Sequence, residues 1–157
     1  MKHSFLMKLL FIAAAIVVII FIFVNSSKDA AESKKQSTAV QDIIEKVIET
    51  VPGEHPALTQ KTIRKIAHVV EYFLLGVCLS AILFTFTEKP VKYLPYPLLA
   101  GLLIAVIDET IQISYDGRGP AIIDVWIDFA AIFAACALST SAILLYKRSK
   151  KAKRDAI

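Results

Sequence analysis

Residues 104–128, IAVIDETIQISYDGRGPAIIDVWID, set the tightest limit on what this chain can fold into. The stretch begins as an apolar run and places Asp108, Glu109 and Gln112 inside it. It turns through 115–120, YDGRGP, and enters a second apolar run that carries Asp124 and Asp128. An ionisable group within a membrane span costs about 2.5–3.5 kcal/mol at the bilayer centre on insertion scales. A chain with no use for these groups would carry Leu at lower cost. The hairpin therefore reads as one wall of a functional site, and residues 64–76, RKIAHVVEYFLLG, read as the other.

The membrane is itself an inference from composition. Of 157 residues, 56% are hydrophobic and the mean hydropathy is +0.60, too apolar for an ordinary soluble domain. Four apolar runs predict spans over about 5–24, 64–86, 94–113 and 121–146. The fold class expected is all-α: an integral membrane four-helix bundle in one domain, with an additional short extracytoplasmic amphipathic helix. The first run follows a short basic start, so it reads either as a signal-anchor helix that stays attached or as a cleaved secretory signal. Its length and the poor cleavage site at Val24-Asn25-Ser26 favour the anchor.

Residues 25–38 form a polar, low-complexity linker. In 40–51, Val40, Ile43, Ile44, Val47, Ile48 and Val51 recur on one helical face. This predicts an amphipathic helix that packs on the bundle, lies in the interface or covers the site as a lid, and that ends at Pro52-Gly53. Thr59 or Thr62 caps the next span. Pro95 and Pro97 fall in the first turn of the third, where a missing N–H does little harm. The fourth is rich in small residues, Ala130, Ala131, Ala134, Ala135, Ala137 and Ser139, which permit close helix approach in lipid. Cys78 and Cys136 both lie in apolar runs, and no disulfide is expected.

Six of the 18 basic residues lie in the tail at 147–154. Directly after a span, such a run reads as a cytoplasmic anchor rather than a nucleic-acid contact. Placing both termini inside leaves ten basic residues there against eight outside, and the density at the final span decides. The linker, the amphipathic helix and the Gly-rich turn then face outward.

Measured from Ile66, Ile113 and Ala121, a rise of about 1.5 Å per residue puts Glu71 and Asp108 roughly 7.5 Å deep and Asp128 roughly 10 Å deep. Three helices thus bring polar groups to one layer. His68/Glu71, His68/Tyr72, Asp108/Gln112, Glu109/Gln112 and Asp124/Asp128 are spaced to share faces. Glu71, Asp108, Glu109, Asp124 and Asp128 outnumber Arg64, Lys65 and Arg118 by two. Either some carboxyls hold protons, or His68 is charged, or a cation sits among them. The plain alternative is that these pairs fasten helices together and that Tyr115 and Trp126 are interface aromatics.

Lys65-xx-His68-xx-Glu71-Tyr72-xx-Leu75-Gly76, then Asp108-Glu109-xx-Gln112, then Arg118 and Asp124-xxx-Asp128, resemble the signature of the VanZ-like membrane proteins. That family is named for a teicoplanin-resistance protein. The resemblance covers about 64–134. It implies a bacterial cell-membrane protein linked to reduced glycopeptide susceptibility.

Three functions remain open on the residues. A binding module would hold a membrane lipid headgroup or a lipid-linked cell-wall intermediate, with Arg118 on an anionic group beside Arg64 or Lys65, and His68, Glu71, Tyr72, Asp108, Glu109, Gln112, Asp124 and Asp128 as the other contacts. An intramembrane enzyme would use His68 or Glu109 as general base and Asp108 as partner or acid. Ser114, at the rim, is the only nucleophile near the cluster. A structural partner of an envelope protein would dock through the tail and the amphipathic helix. No cofactor is expected: a divalent metal on His68, Glu71 and Asp108 is a weak signal with a single His. No nucleic-acid partner is expected, and no Gly-rich phosphate loop or catalytic triad is present.

Overall fold

The computed structural model describes residues 5–29, 31–35, 38, 59–115 and 121–155. The amphipathic stretch at 40–51, Pro52-Gly53 and Arg118 lie outside the described residues. Among the described residues, 31–35 are helical and five bounded helices run in order: α1 (Phe5–Ser26), α2 (Gln60–Phe86), α3 (Pro90–Tyr93), α4 (Pro95–Gln112) and α5 (Ile122–Asp155). No strand occurs among the described residues. Among the described residues, four helices are long and apolar enough to cross a membrane, with Pro90–Gln112 counted as one span. The protein is an all-α membrane bundle.

The ends of the helices follow from local chemistry. The Thr59 hydroxyl accepts the Thr62 N–H at 3.2 Å and so caps α2. The third span starts in two pieces. Pro90 opens α3, Leu94 breaks the run, and Pro95 opens α4. The fourth helix outlasts its apolar run, continuing through the basic tail to Asp155. Lys and Arg are good helix formers, and their charge suits a helix C-terminus. At about 1.5 Å per residue, those last nine residues extend well past a hydrocarbon layer about 30 Å thick.

The helix α2 is the hub. It packs most extensively on α5 and next on α1, while α4 closes the bundle against α5. The core is a thin seam of Ile22, Tyr72, Leu75, Ala105, Ala131, Ile132 and Cys136. Small residues permit that seam. A Cβ added at Gly76 would stand 2.7 Å from the Ala135 Cβ and 2.9 Å from the Ile132 carbonyl oxygen. Of the small residues in the fourth span, Ala131 and Ala135 enter the seam, while Ala130 and Ala134 are exposed. Leu74, Leu99, Phe133 and Leu138 face outward, as expected of a surface wetted by lipid tails.

Candidate functional site

The helix faces that the sequence spacing marks do converge. From α2, His68 Nδ1 lies 3.6 Å from Asp128 Oδ2 on α5 and 3.9 Å from Asp108 Oδ2 on α4. The side chains of Asp108 and Asp128 are 0% and 3% exposed, and that of His68 is 16% exposed. The imidazole stacks over Tyr72, one turn along, with ring centroids 6.3 Å apart. Nearer the bundle end, Lys65 and Asp124 form an ion pair between α2 and α5. Depth therefore sorts the cluster into a buried His–Asp–Asp centre and a half-exposed Lys–Asp rim.

Gln112 donates through Nε2 to Asp108 Oδ2 at 3.3 Å and to Glu109 Oε2 at 3.4 Å. These bonds follow from the one-turn spacing. The other Glu109 oxygen accepts the Ala121 N–H at 2.7 Å, just before α5 begins. A carboxylate there satisfies an N–H left free at the helix start and meets the positive end of the helix dipole.

The residue spacing gave no sign that α1 belongs to this layer. Its last turn supplies Asn25, whose Nδ2 donates to Glu71 Oε1 at 2.9 Å, and Lys28 Nζ donates to Asn25 Oδ1 at 2.9 Å. Ser26 faces the Asp108 carboxyl, as does Tyr72 from α2. The only hint in the sequence was polarity, because Asn25-Ser26-Ser27 sits at the point where the first apolar run stops. Glu71 is thus drawn toward α1, and Asp128 rather than Glu71 stands against His68.

Arg64, Lys65, His68, Glu109, Gln112, Asp124, Ile127 and Asp128 line a cleft with about 310 Å³ of empty space. Its enclosed part has room for little more than a water-sized guest. The cleft opens where α2 and α5 begin and α4 ends, so it lies at the opposite end of α5 from the basic tail.

His68, Asp108 and Asp128 offer three ligand atoms within 4.8 Å of one another. Cys78 and Cys136 are both free thiols. Trp126 is half exposed and packs edge-on to Phe129, with centroids 6.1 Å apart.

A family model described as VanZ/LLP1 matches residues 11–145. This chain belongs to the VanZ/LLP1 family. The match takes in all four spanning helices and every described residue of the polar layer, including Asn25 and Ser26, which precede the stretch that carries the resemblance in sequence. The start of α1, residues 5–10, and the end of α5, residues 146–155, fall outside it. No curated protein and no solved structure matches the chain. What this VanZ/LLP1 protein does must therefore be argued from its own side chains.

Proposed function

We propose that this protein engages the polar headgroup of an envelope lipid, or of a lipid-linked cell-wall intermediate, at the open mouth of the cleft between α2, α4 and α5. By doing so it lowers the susceptibility of a bacterial cell to glycopeptide antibiotics. The observation that carries the reading is the cleft itself: seven polar side chains from three spanning helices line one depression at one end of an otherwise apolar bundle. Polar groups at such depth are costly and mark ligand pathways or sites. Arg64 at the rim suits an anionic group. Gln112, Asp124 and Asp128 suit hydroxyls, amides or an amine. Arg118, which lies between α4 and α5 in the sequence, is the second anion contact in this reading.

The cleft faces the outer leaflet and both termini lie inside. Supporting this, the basic run at 147–154 is at the far end of α5, and Lys8 lies over the Phe86 ring at that same end, 4.5 Å from its centroid.

Binding is favoured over catalysis because Glu109, one candidate base, has an oxygen committed to the start of α5. The test is native mass spectrometry of the purified protein after incubation with an envelope lipid extract. Wild type should retain one lipid class intact, and His68→Ala and Arg118→Ala should lose it. A chemically altered lipid, formed by wild type and not by Glu109→Gln, would replace this reading with an intramembrane enzyme. No selective retention by wild type would overturn both and leave the envelope-protein partner.

A further inference from the structure

We propose that His68, Asp108 and Asp128 form a binding site for one first-row divalent cation of the Mn²⁺ or Zn²⁺ type. The inference stands on these three side chains and does not require the headgroup reading.

The spacing is the first reason. Separations of 3.6 and 3.9 Å from His68 Nδ1 are too long for hydrogen bonds. They match two ligands placed about 2.1 Å from one ion, which stand about 3.4–3.9 Å apart at tetrahedral or wider angles. The three ligand atoms come from three helices, so the bundle fixes their separation without help from any loop.

Charge is the second. A neutral imidazole with two carboxylates carries two negative charges, which a divalent cation cancels. Lys65, which lines the same cleft, is already paired with Asp124. Two uncompensated carboxylates within 4.8 Å of the same imidazole would repel in a low-dielectric layer.

Unsatisfied oxygen is the third. Asp108 Oδ1 and Glu71 Oε2 are buried and complete no hydrogen bond among the described residues. The Ser26 and Tyr72 hydroxyls also face the Asp108 carboxyl. Buried carboxylate oxygens are normally paired or coordinate a metal. Glu71 follows His68 by three residues on the same helix face and is the natural fourth ligand or outer-shell acceptor.

The donor set selects the ion class. One imidazole nitrogen with carboxylate oxygens suits Mn²⁺ or Zn²⁺ over Ca²⁺, which prefers all-oxygen shells, and over Cu(I), which prefers sulfur. His68 and Asp128 also line the cleft, which gives an ion or its water a route from the membrane face.

The test uses the full chain in detergent, stripped with a chelator and dialysed free of lipid extract. Mn²⁺ binding is read by the loss of the free-ion paramagnetic resonance signal, with Zn²⁺ as competitor. One ion per chain should bind, Zn²⁺ should displace it, and the ion should raise the melting temperature. Asp108→Asn and Asp128→Asn should weaken binding about a hundredfold or more, whereas Asp124→Asn, at the rim, should retain it. His68→Ala should lose Zn²⁺ binding along with Mn²⁺. Absence of saturable binding in wild type, or unchanged affinity in a folded Asp108→Asn variant, would overturn the site. Because no lipid is present, either result leaves the headgroup reading to its own experiment.

Discussion

His68 Nδ1 sits 3.6 Å from Asp128 Oδ2, and with that contact α2 and α5 are tied at their polar ends as well as along their apolar seam. The two residues lie 60 positions apart in the chain. In metal-free protein they should still be energetically coupled, because both are largely buried. A double-mutant cycle through His68→Ala and Asp128→Ala, read by unfolding in detergent, should give a coupling energy of about 1–3 kcal/mol. Strict additivity would show that the contact is incidental.

The bond from Asn25 to Glu71 joins the end of α1 to the middle of α2. Asn25→Ala removes the hydrogen bond to Glu71 Oε1 and, among the described residues, leaves a half-buried carboxyl with neither oxygen hydrogen-bonded. The expected loss is about 1–3 kcal/mol. Glu71→Gln should be milder, since its amide carbonyl still accepts from Asn25. Equal losses in the two variants would mean that charge rather than hydrogen bonding holds α1 here.

Gly76 and Gly101 both lie against Ile132, in different ways. At Gly76 an added Cβ meets the Ile132 backbone carbonyl at 2.9 Å and the Ala135 Cβ at 2.7 Å, and neither can swing aside. At Gly101 it meets the Ile132 side chain, with Cδ1 at 2.7 Å. Gly76→Ala should therefore force α2 and α5 apart and cost about 1–3 kcal/mol. Gly101→Ala should cost less, since it presses only on the Ile132 side chain, with Cγ2 also at 2.9 Å, and not on backbone, and alanine favours the helix by about 1 kcal/mol. Thermal melts of the two variants side by side check the ranking.

Glu109 holds the start of α5 through the Ala121 N–H. Glu109→Leu should destabilise the protein by about 2 kcal/mol, by leaving that donor unpaired and removing a charge-assisted bond. Glu109→Gln keeps an acceptor and should lose less than half as much. If Glu109→Leu melts like wild type, the cap has no energetic weight.

Much of the bundle is fixed by sequence alone. Runs of about twenty apolar residues cannot avoid the membrane, and within each run the 3.6-residue period decides which polar groups share a face. His68 with Glu71 and Tyr72, and Asp108 with Gln112, follow from that arithmetic, while of the two cap candidates, Thr59 and Thr62, the structure selects Thr59. Local chemistry also explains the departures. Leu94 between two prolines splits the third span, and the tail stays helical because nothing in 147–155 breaks a helix.

Only the tertiary structure decides which polar faces meet. Sequence spacing gives neither the rotation of one helix against another nor their vertical offset. Those are set by the close approach of Gly76 to Ala135 and Ile132, and of Gly101 to Ile132. That packing turns Asp128 toward His68, leaves Asp124 to Lys65, and brings Asn25 from the first helix onto Glu71. The carboxylates that a sequence can only count are thereby sorted into a rim pair, a cap, an anchor to α1 and a buried His–Asp–Asp centre.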